Sequence, residues 1–131
     1  MKKLLFTFEG RINRQKMWFA VLIHIIAAAV VGLVFTLLWS VIPGSISEDG
    51  TYHVEGAVAV PYIVLSLAYI IFSVWSGLAV AIKRLHDRNK SGWFFLIQFV
   101  PLIGSIWYLV EVLLLKGTTG TNRFGEDAIA A

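Results

Sequence analysis

The chain contains no cysteine. Disulfides, thiol nucleophiles and cysteine-ligated zinc are therefore excluded, and the redox state of its compartment leaves no mark. Charge is also scarce. Only 15% of the 131 residues are Asp, Glu, Lys or Arg, whereas 58% are hydrophobic. A soluble domain is nearer one-quarter charged. No Ser-His-Asp set, glycine-rich phosphate loop, HExxH motif or paired-carboxylate pattern occurs anywhere in the sequence. Nothing in it predicts a catalytic centre, a cofactor, a metal site or a nucleic-acid surface.

What is present is apolar and grouped. Residues 17–42 and 57–82 hold no Asp, Glu, Lys or Arg, and residues 93–115 hold only Glu111. A helix of about 20 apolar residues crosses a bilayer core, so each block is long enough. Burying three such helices in a soluble fold would require amphipathic helices around them, and no residues remain to build those. The first block is too long for a signal-peptide core and ends in no small-x-small cleavage site, so it reads as a retained anchor. The expected fold is an all-α membrane protein. It has three transmembrane helices in a small bundle, within a single domain over 1–131. A short cytoplasmic N-terminal segment precedes them and a polar C-terminal tail follows.

Charge orients the chain. Lys and Arg number five in residues 1–16, none in 43–56, four in 83–92 and two in the tail from 116. The positive-inside rule then places the N-terminus and the 83–92 loop in the cytoplasm and the acidic 43–56 loop outside. Trp18 and Trp39 lie 21 residues apart, about 31 Å at helical rise, which suits one indole at each interface. Trp93 would anchor the third span. Trp75 and Trp107 fall deeper, where packing or lipid contact is expected.

Ser73, Gly77 and Ala81 form a small-residue stripe of the kind that lets membrane helices approach, as do Ala28 and Gly32 in span one. Pro101 and Gly104 interrupt the third block. One kinked span is the simpler outcome and leaves the tail outside. The other is a re-entrant hairpin turning at "PLIG", which returns the tail to the cytoplasm. His24, Gln98 and Glu111 are the polar residues inside the blocks. An intramembrane ionisable residue is a functional candidate, but a neutral His24 bonded to a neighbouring helix, a Glu111 paired with Lys116 and a Gln98 bonded within the bundle are the plainer expectations.

Two cytoplasmic segments carry the remaining pattern. In "FEGRINRQKMW", Gly10 suits a turn, Asn13 suits a helix cap, and Arg11 and Arg14 stand at the level of lipid phosphates. In "KRLHDRNKSGW", Ser91 suits the cap of the next helix. Adjacent residues on a helix do not face each other, so His86 beside Asp87 is a very weak acid–base signal. Asp87 is expected to tie its loop to Arg11 or Arg14. In the tail, Gly117 and Gly120 end the span, "NRFG" forms a turn with Phe124 folding back on the interface, and "AIAA" frays.

The ordered motifs F-x-G-R-x-x-R-x-x-x-W (Phe8 to Trp18), RLHDRNKSGW (84–93), PLIG (101–104) and KGTTGTNRFGED (116–127) resemble the bacterial domain-of-unknown-function 805 family of YhaH-like inner-membrane proteins. The likeness covers nearly the whole chain. Ala128 stands where the family often has Pro, and the acidic loop is longer than in the shortest members. The resemblance implies an integral inner-membrane protein and no established activity. It singles out Arg11, Arg14, Arg84, Leu85, His86, Asp87, Ser91, Gly92 and Trp93, with Asn122, Arg123 and Phe124. If all of these build one site, the tail must be cytoplasmic.

The expected function is that of a small non-enzymatic membrane component whose basic cytoplasmic face contacts anionic head groups or a partner protein. An oligomeric transporter or channel subunit lined by His24, Gln98 and Glu111 is the alternative. A lipid-acting enzyme using His86 and Asp87 ranks below both.

Overall fold

The computed structural model describes residues 1–41, 44–54 and 59–129. Parts of the expected acidic loop (Pro43, Glu55, Gly56), the ends of two blocks and Ala130 and Ala131 of "AIAA" lie outside the described residues. The chain is mostly helical: α1 (Lys2–Leu5), α2 (Arg14–Val41), α3 (Ala59–Asp87) and α4 (Ile103–Leu109).

α2 and α3 carry the two longest apolar runs. With 28 and 29 residues each reaches about 42 Å, enough to cross a bilayer. Asn13 caps α2 as its position suggests: its side chain accepts from the Lys16 N–H at 2.8 Å and its carbonyl from Met17 at 3.1 Å. Pro61 sits in the first turn of α3, where a missing N–H breaks no helical bond. α3 runs one turn past Ile82. It closes in a Schellman arrangement, with Asn89 left-handed (φ 55°), Asn89 N–H on His86 O and Lys90 N–H on Leu85 O, both 2.9 Å.

Two compact units divide the chain. One comprises Ile23–Ser73. Within it, the acidic segment is not wholly irregular. Gly44–Ile46 (β1) and Tyr52–Val54 (β2) pair antiparallel, in the register Gly44↔Val54, Ser45↔His53 and Ile46↔Tyr52. This two-stranded ribbon is the one departure from an all-helical expectation among the described residues. Its turn is held by Asp49, whose carboxylate accepts from Thr51 N–H at 2.9 Å. Trp39 packs on Tyr52 and Tyr62, and Phe35 on Tyr62. His24 stacks on Phe72 at 5.7 Å.

The other unit comprises Met1–Leu22 and Val74–Ala131. It holds the buried apolar core: Leu5, Ile12, Met17, Ala20, Ala79, Val80, Leu85, Val112 and Ala128, with Ala81 beside them. Here the block 93–115, expected as one kinked span, is not one helix. Gly92–Phe99 is a 3₁₀ segment opened by Ser91, whose hydroxyl accepts from Trp93 N–H. The chain reverses at Val100–Leu102, and α4 then runs on into a π-helical turn, Val110–Leu114.

The cause of the break is local. Pro101 supplies no N–H, Leu102 adopts a left-handed backbone (φ 62°), and Gly104 is buried against the first arm. A Cβ on Gly104 would lie 1.9 Å from Ile97 O and 2.7 Å from Val100 Cβ. Ser105 ties the arms by donating to Gln98 O at 2.8 Å. Phe99, Leu102 and Ile103 at the tip are each more than 70% exposed. The helix ends at Leu114 rather than at Gly117.

Trp75, expected in lipid or in packing between spans, lies against the N-terminal segment. Its indole donates to Phe6 O at 3.4 Å and its ring meets Phe8 edge-on at 5.1 Å. Within the small-residue stripe, Ala81 is buried, but a Cβ on Gly77 would meet nothing within 4 Å. No close helix approach passes over Gly77.

Candidate functional site

The end of α3 is where the sequence motifs meet. Arg84 and Asp87 are one turn apart on the same helical face, and both side chains are buried (0% and 4% exposed). Asp87 Oδ2 accepts from Arg84 Nη1. Asp87 Oδ1 accepts from Arg11 Nε at 3.2 Å and Nη2 at 3.1 Å. The Arg11 side chain is itself 1% exposed. One carboxylate therefore holds two buried guanidinium groups, one from its own helix and one 76 residues away.

The remaining guanidinium N–H donors are taken up by backbone carbonyls. Arg84 donates to Val112 O at 2.9 Å and to Leu115 O. Arg14 donates to Leu114 O at 3.1 Å, and Arg88 to Lys116 O. Arg11 donates to Thr118 O, to Gly120 O at 2.7 Å and to Gly125 O at 3.2 Å. These acceptors include the last carbonyls of the π-helical turn and those of the extended tail beyond it. A helix C-terminus leaves such carbonyls without intrahelical donors and gathers partial negative charge. Four arginines thus cap one chain end and fasten the tail that follows. Gly117 is required there: a Cβ on it would sit 1.9 Å from Asp87 Oδ2. Thr118 completes the fastening, its N–H and hydroxyl both donating to Asp87 O, at 2.7 and 2.8 Å.

The tail motif docks on the same helix end. Asn122 and Gly125 exchange backbone hydrogen bonds at 3.0 and 3.1 Å, closing the "NRFG" turn. Asn122 also donates to His86 O at 2.9 Å and Arg123 to Asn89 O at 3.1 Å. Phe124, expected to fold onto the bilayer interface, instead stacks on His86, with ring centroids 3.9 Å apart and planes within 4°. Asp127 accepts from the N–H groups of Ile129 (2.9 Å) and Gly120 (2.7 Å). These two donors hold its carboxyl below the usual carboxylate range.

A second ion-pair group lies beside the first. Glu111, expected to pair with Lys116, accepts instead from Arg88 at 3.0 Å, lies 3.4 Å from Lys90, and accepts from Trp107 Nε1 at 3.2 Å. The hairpin explains the difference. By reversing at Pro101 the chain carries Glu111 back to the residues that precede the hairpin.

The structure therefore brings together Arg11, Arg14, Arg84, His86, Asp87, Asn122, Arg123, Phe124 and Glu111. It leaves Ser91 and Trp93 at the mouth of the hairpin and His24 in the other unit. Gln98 contributes its backbone carbonyl to the hairpin. Both oxygens of Asp87 are engaged, and His86 Nδ1 lies 3.2 Å from Gly10 O. The arrangement is a clasp. Sequence reading did not single out Lys83, Arg88 or Thr118, and gave Gly117 only the role of ending the span. The first two were absorbed into a charge count, and the contacts of Gly117 and Thr118 carry no signal until the tail is seen to lie on Asp87.

A family model described as "Protein of unknown function (DUF805)" matches residues 5–126. The chain is 33% identical over 121 residues to Inner membrane protein YhaI of Escherichia coli K12, covering 92% of this chain and 84% of that one. It is 34% identical over 122 residues to Inner membrane protein YhaH of the same strain, covering 92% and 85%. Uncharacterized protein YiiR of that strain is 24% identical over 151 residues, covering 97% and 89%. No solved structure matches the chain.

Proposed function

The chain belongs to the DUF805 family, and from that premise we propose that it is a multi-pass, non-enzymatic component of the bacterial inner membrane. Its N-terminus, the α3 end and the tail form one cytoplasmic clasp. α2 and the apolar part of α3 are the two spans. The hairpin 92–114 enters the cytoplasmic leaflet and returns. The relatives' printed description as inner membrane proteins supports the location. The charge alternation supports the orientation: five Lys and Arg precede α2, none lies in 43–56, and four lie in 83–92.

One observation carries the topology. Asp87 is bonded by Arg11 of the N-terminal segment, and its carbonyl by Thr118 of the tail. Residues on opposite sides of a bilayer cannot share a carboxylate and its own carbonyl. A cytoplasmic N-terminus then requires a cytoplasmic tail, and the hairpin provides the return. The hairpin arms, 8 residues of 3₁₀ and about 12 of α and π helix, are too short to cross. Their exposed apolar tip suits immersion in one leaflet.

The outward surface of the clasp carries Lys2, Lys3, Lys16, Lys116 and Arg123, all exposed. Each such cation near an anionic leaflet contributes about 1 kcal/mol. The proposed role is to seat this face on anionic head groups, leaving it available to a membrane-protein partner or a second copy.

Reporter fusions test the topology, because fluorescent protein folds productively on the cytoplasmic side and alkaline phosphatase on the outside. Fusion after residue 131 is expected to fluoresce and to lack phosphatase activity. Insertion at Gly50 is expected to give the opposite. An active phosphatase at the C-terminus would overturn the re-entrant reading.

A further inference from the structure

Among the described residues, Lys83 is the buried cation with no carboxylate in an ion pair with it. Its side chain is as enclosed as that of Arg84 (1% and 0% exposed), yet its ammonium is not among the groups bonded to the Asp87 carboxylate. Its ammonium donates to the last carbonyls of α1, Lys3 O at 2.6 Å and Leu4 O. Among the described residues no carboxylate forms an ion pair with it; the acids of this unit that do pair go to Arg11, Arg84, Arg88 and Lys90. Carbonyl dipoles satisfy hydrogen bonds without cancelling a charge, and a desolvated cation is costly until an anion lies near it.

Lys83 also lines an open groove of about 940 Å³, within the range of small-molecule sites. Lys3 and Lys16, both exposed, line the same groove, against a single acid, Glu9. Leu4 and Phe19 form an apolar wall, and Phe19 is 52% exposed. The groove thus pairs a surface in which Lys3, Lys16 and Lys83 outnumber the one acid, Glu9, with an apolar flank, on a segment that leads directly into α2. That combination matches a molecule with an anionic head and a hydrocarbon body.

We infer that this groove binds the phosphate of an anionic glycerophospholipid on the exposed Lys3 and Lys16, above the enclosed Lys83 ammonium whose charge it offsets, with the lipid's first methylenes against Phe19. The inference rests on the reading that this face meets the cytoplasmic leaflet, and it replaces a diffuse basic surface by one site. The neutralised Lys83 then locks α1 in place, so the bound lipid becomes part of the folded N-terminal segment.

The full-length protein in mild detergent is incubated with equimolar phosphatidylglycerol and phosphatidylethanolamine, and retained lipid is counted by intact-complex mass spectrometry. Wild type is expected to retain phosphatidylglycerol selectively. Lys3→Gln with Lys16→Gln is expected to lower that occupancy by about 25-fold, roughly fivefold per cation. Lys116→Gln with Arg123→Gln removes the same charge from the wider basic face, outside the groove, and is expected to lower occupancy by less than about fivefold, clearly less than the groove double variant does. Lys83→Met is expected to abolish retention, and the surface double variant keeps the test decisive if that protein misfolds.

Equal loss in both double variants would overturn the site while sparing the broader reading of a basic face. No preference for phosphatidylglycerol in wild type would overturn both. Displacement of the lipid by millimolar inorganic phosphate would overturn the lipid assignment in favour of a free phosphate.

Discussion

Replacing Asp87 by Asn tests the clasp with the smallest change in shape. The amide keeps the volume and one acceptor oxygen. It loses the charge and turns an NH₂ group toward a guanidinium, donor against donor. The Arg84 and Arg11 side chains, 0% and 1% exposed, then remain buried without a counter-ion. Removing one partner of a buried pair costs about 3–5 kcal/mol. The Thr118 bonds to Asp87 go to its backbone carbonyl and survive the substitution, so the loss falls on the arginines and the carbonyls they hold.

The tail reads this out directly. Lys116 is exposed, but the Lys116–Gly117 bond is shielded because Gly117 lies against the Asp87 carboxyl. Trypsin must wait for the tail to open, and cleavage tracks the open population when opening is fast. At 1.36 kcal/mol per tenfold, the expected rise in cleavage rate at Lys116 is roughly 10²- to 10³·⁵-fold. Asp127→Asn, at a solvent-facing tail position, is expected to raise it less than about tenfold, since exposed groups contribute little. Cleavage of the Asp87→Asn protein within about threefold of wild type would refute the reasoning, because a buried uncompensated pair of arginines cannot be that cheap.

Two other expectations concern the hairpin and the tail. Gly104→Ala forces a Cβ to within 1.9 Å of Ile97 O and is expected to destabilise by about 1–3 kcal/mol, as overpacking does. Gly32→Ala, which meets nothing within 4 Å, is expected to leave stability unchanged or raise it by up to about 1 kcal/mol through helix propensity; melting in detergent compares the two. The Asp127 carboxyl titrates below its ordinary 3.8 in the folded tail, so its contribution is complete above that value and is lost only as pH falls through the lowered pKa. Amide exchange at Gly120 and Ile129, corrected for intrinsic rate, is expected to stay flat from neutral pH to about pH 5 and to rise only below about pH 4.

The long helices were legible because their signal is local. Charge-free runs of 26 residues admit one economical state in lipid, and Asn13, Ser91 and the Asn89 turn mark the ends of elements by side-chain chemistry that acts over three or four residues. The strand pair at 44–54 was missed because three-residue strands carry no period. The third block was misjudged in its simpler version because Pro101 permits either a kink or a reversal. The choice rests on whether Gly104 finds a carbonyl to pack against and whether Glu111 finds Arg88 and Lys90, and neither partner adjoins it in sequence.

The sequence by itself determined the solvent of this protein, the extent of its two long helices and the grouping of its cations, because hydropathy and charge sum over neighbours along the chain. Only the tertiary structure decided what the motif at 84–93 holds. Sequence reading narrowed the distant partner of Asp87 to Arg11 or Arg14 and could not choose between them; the structure puts Arg11 there. The hairpin at Pro101 returns the tail to the end of α3, and that return assigns Arg11 and Arg84 to the carboxylate, Arg14 and Arg88 to the last carbonyls, and leaves Lys83 beside its groove in no ion pair among the described residues.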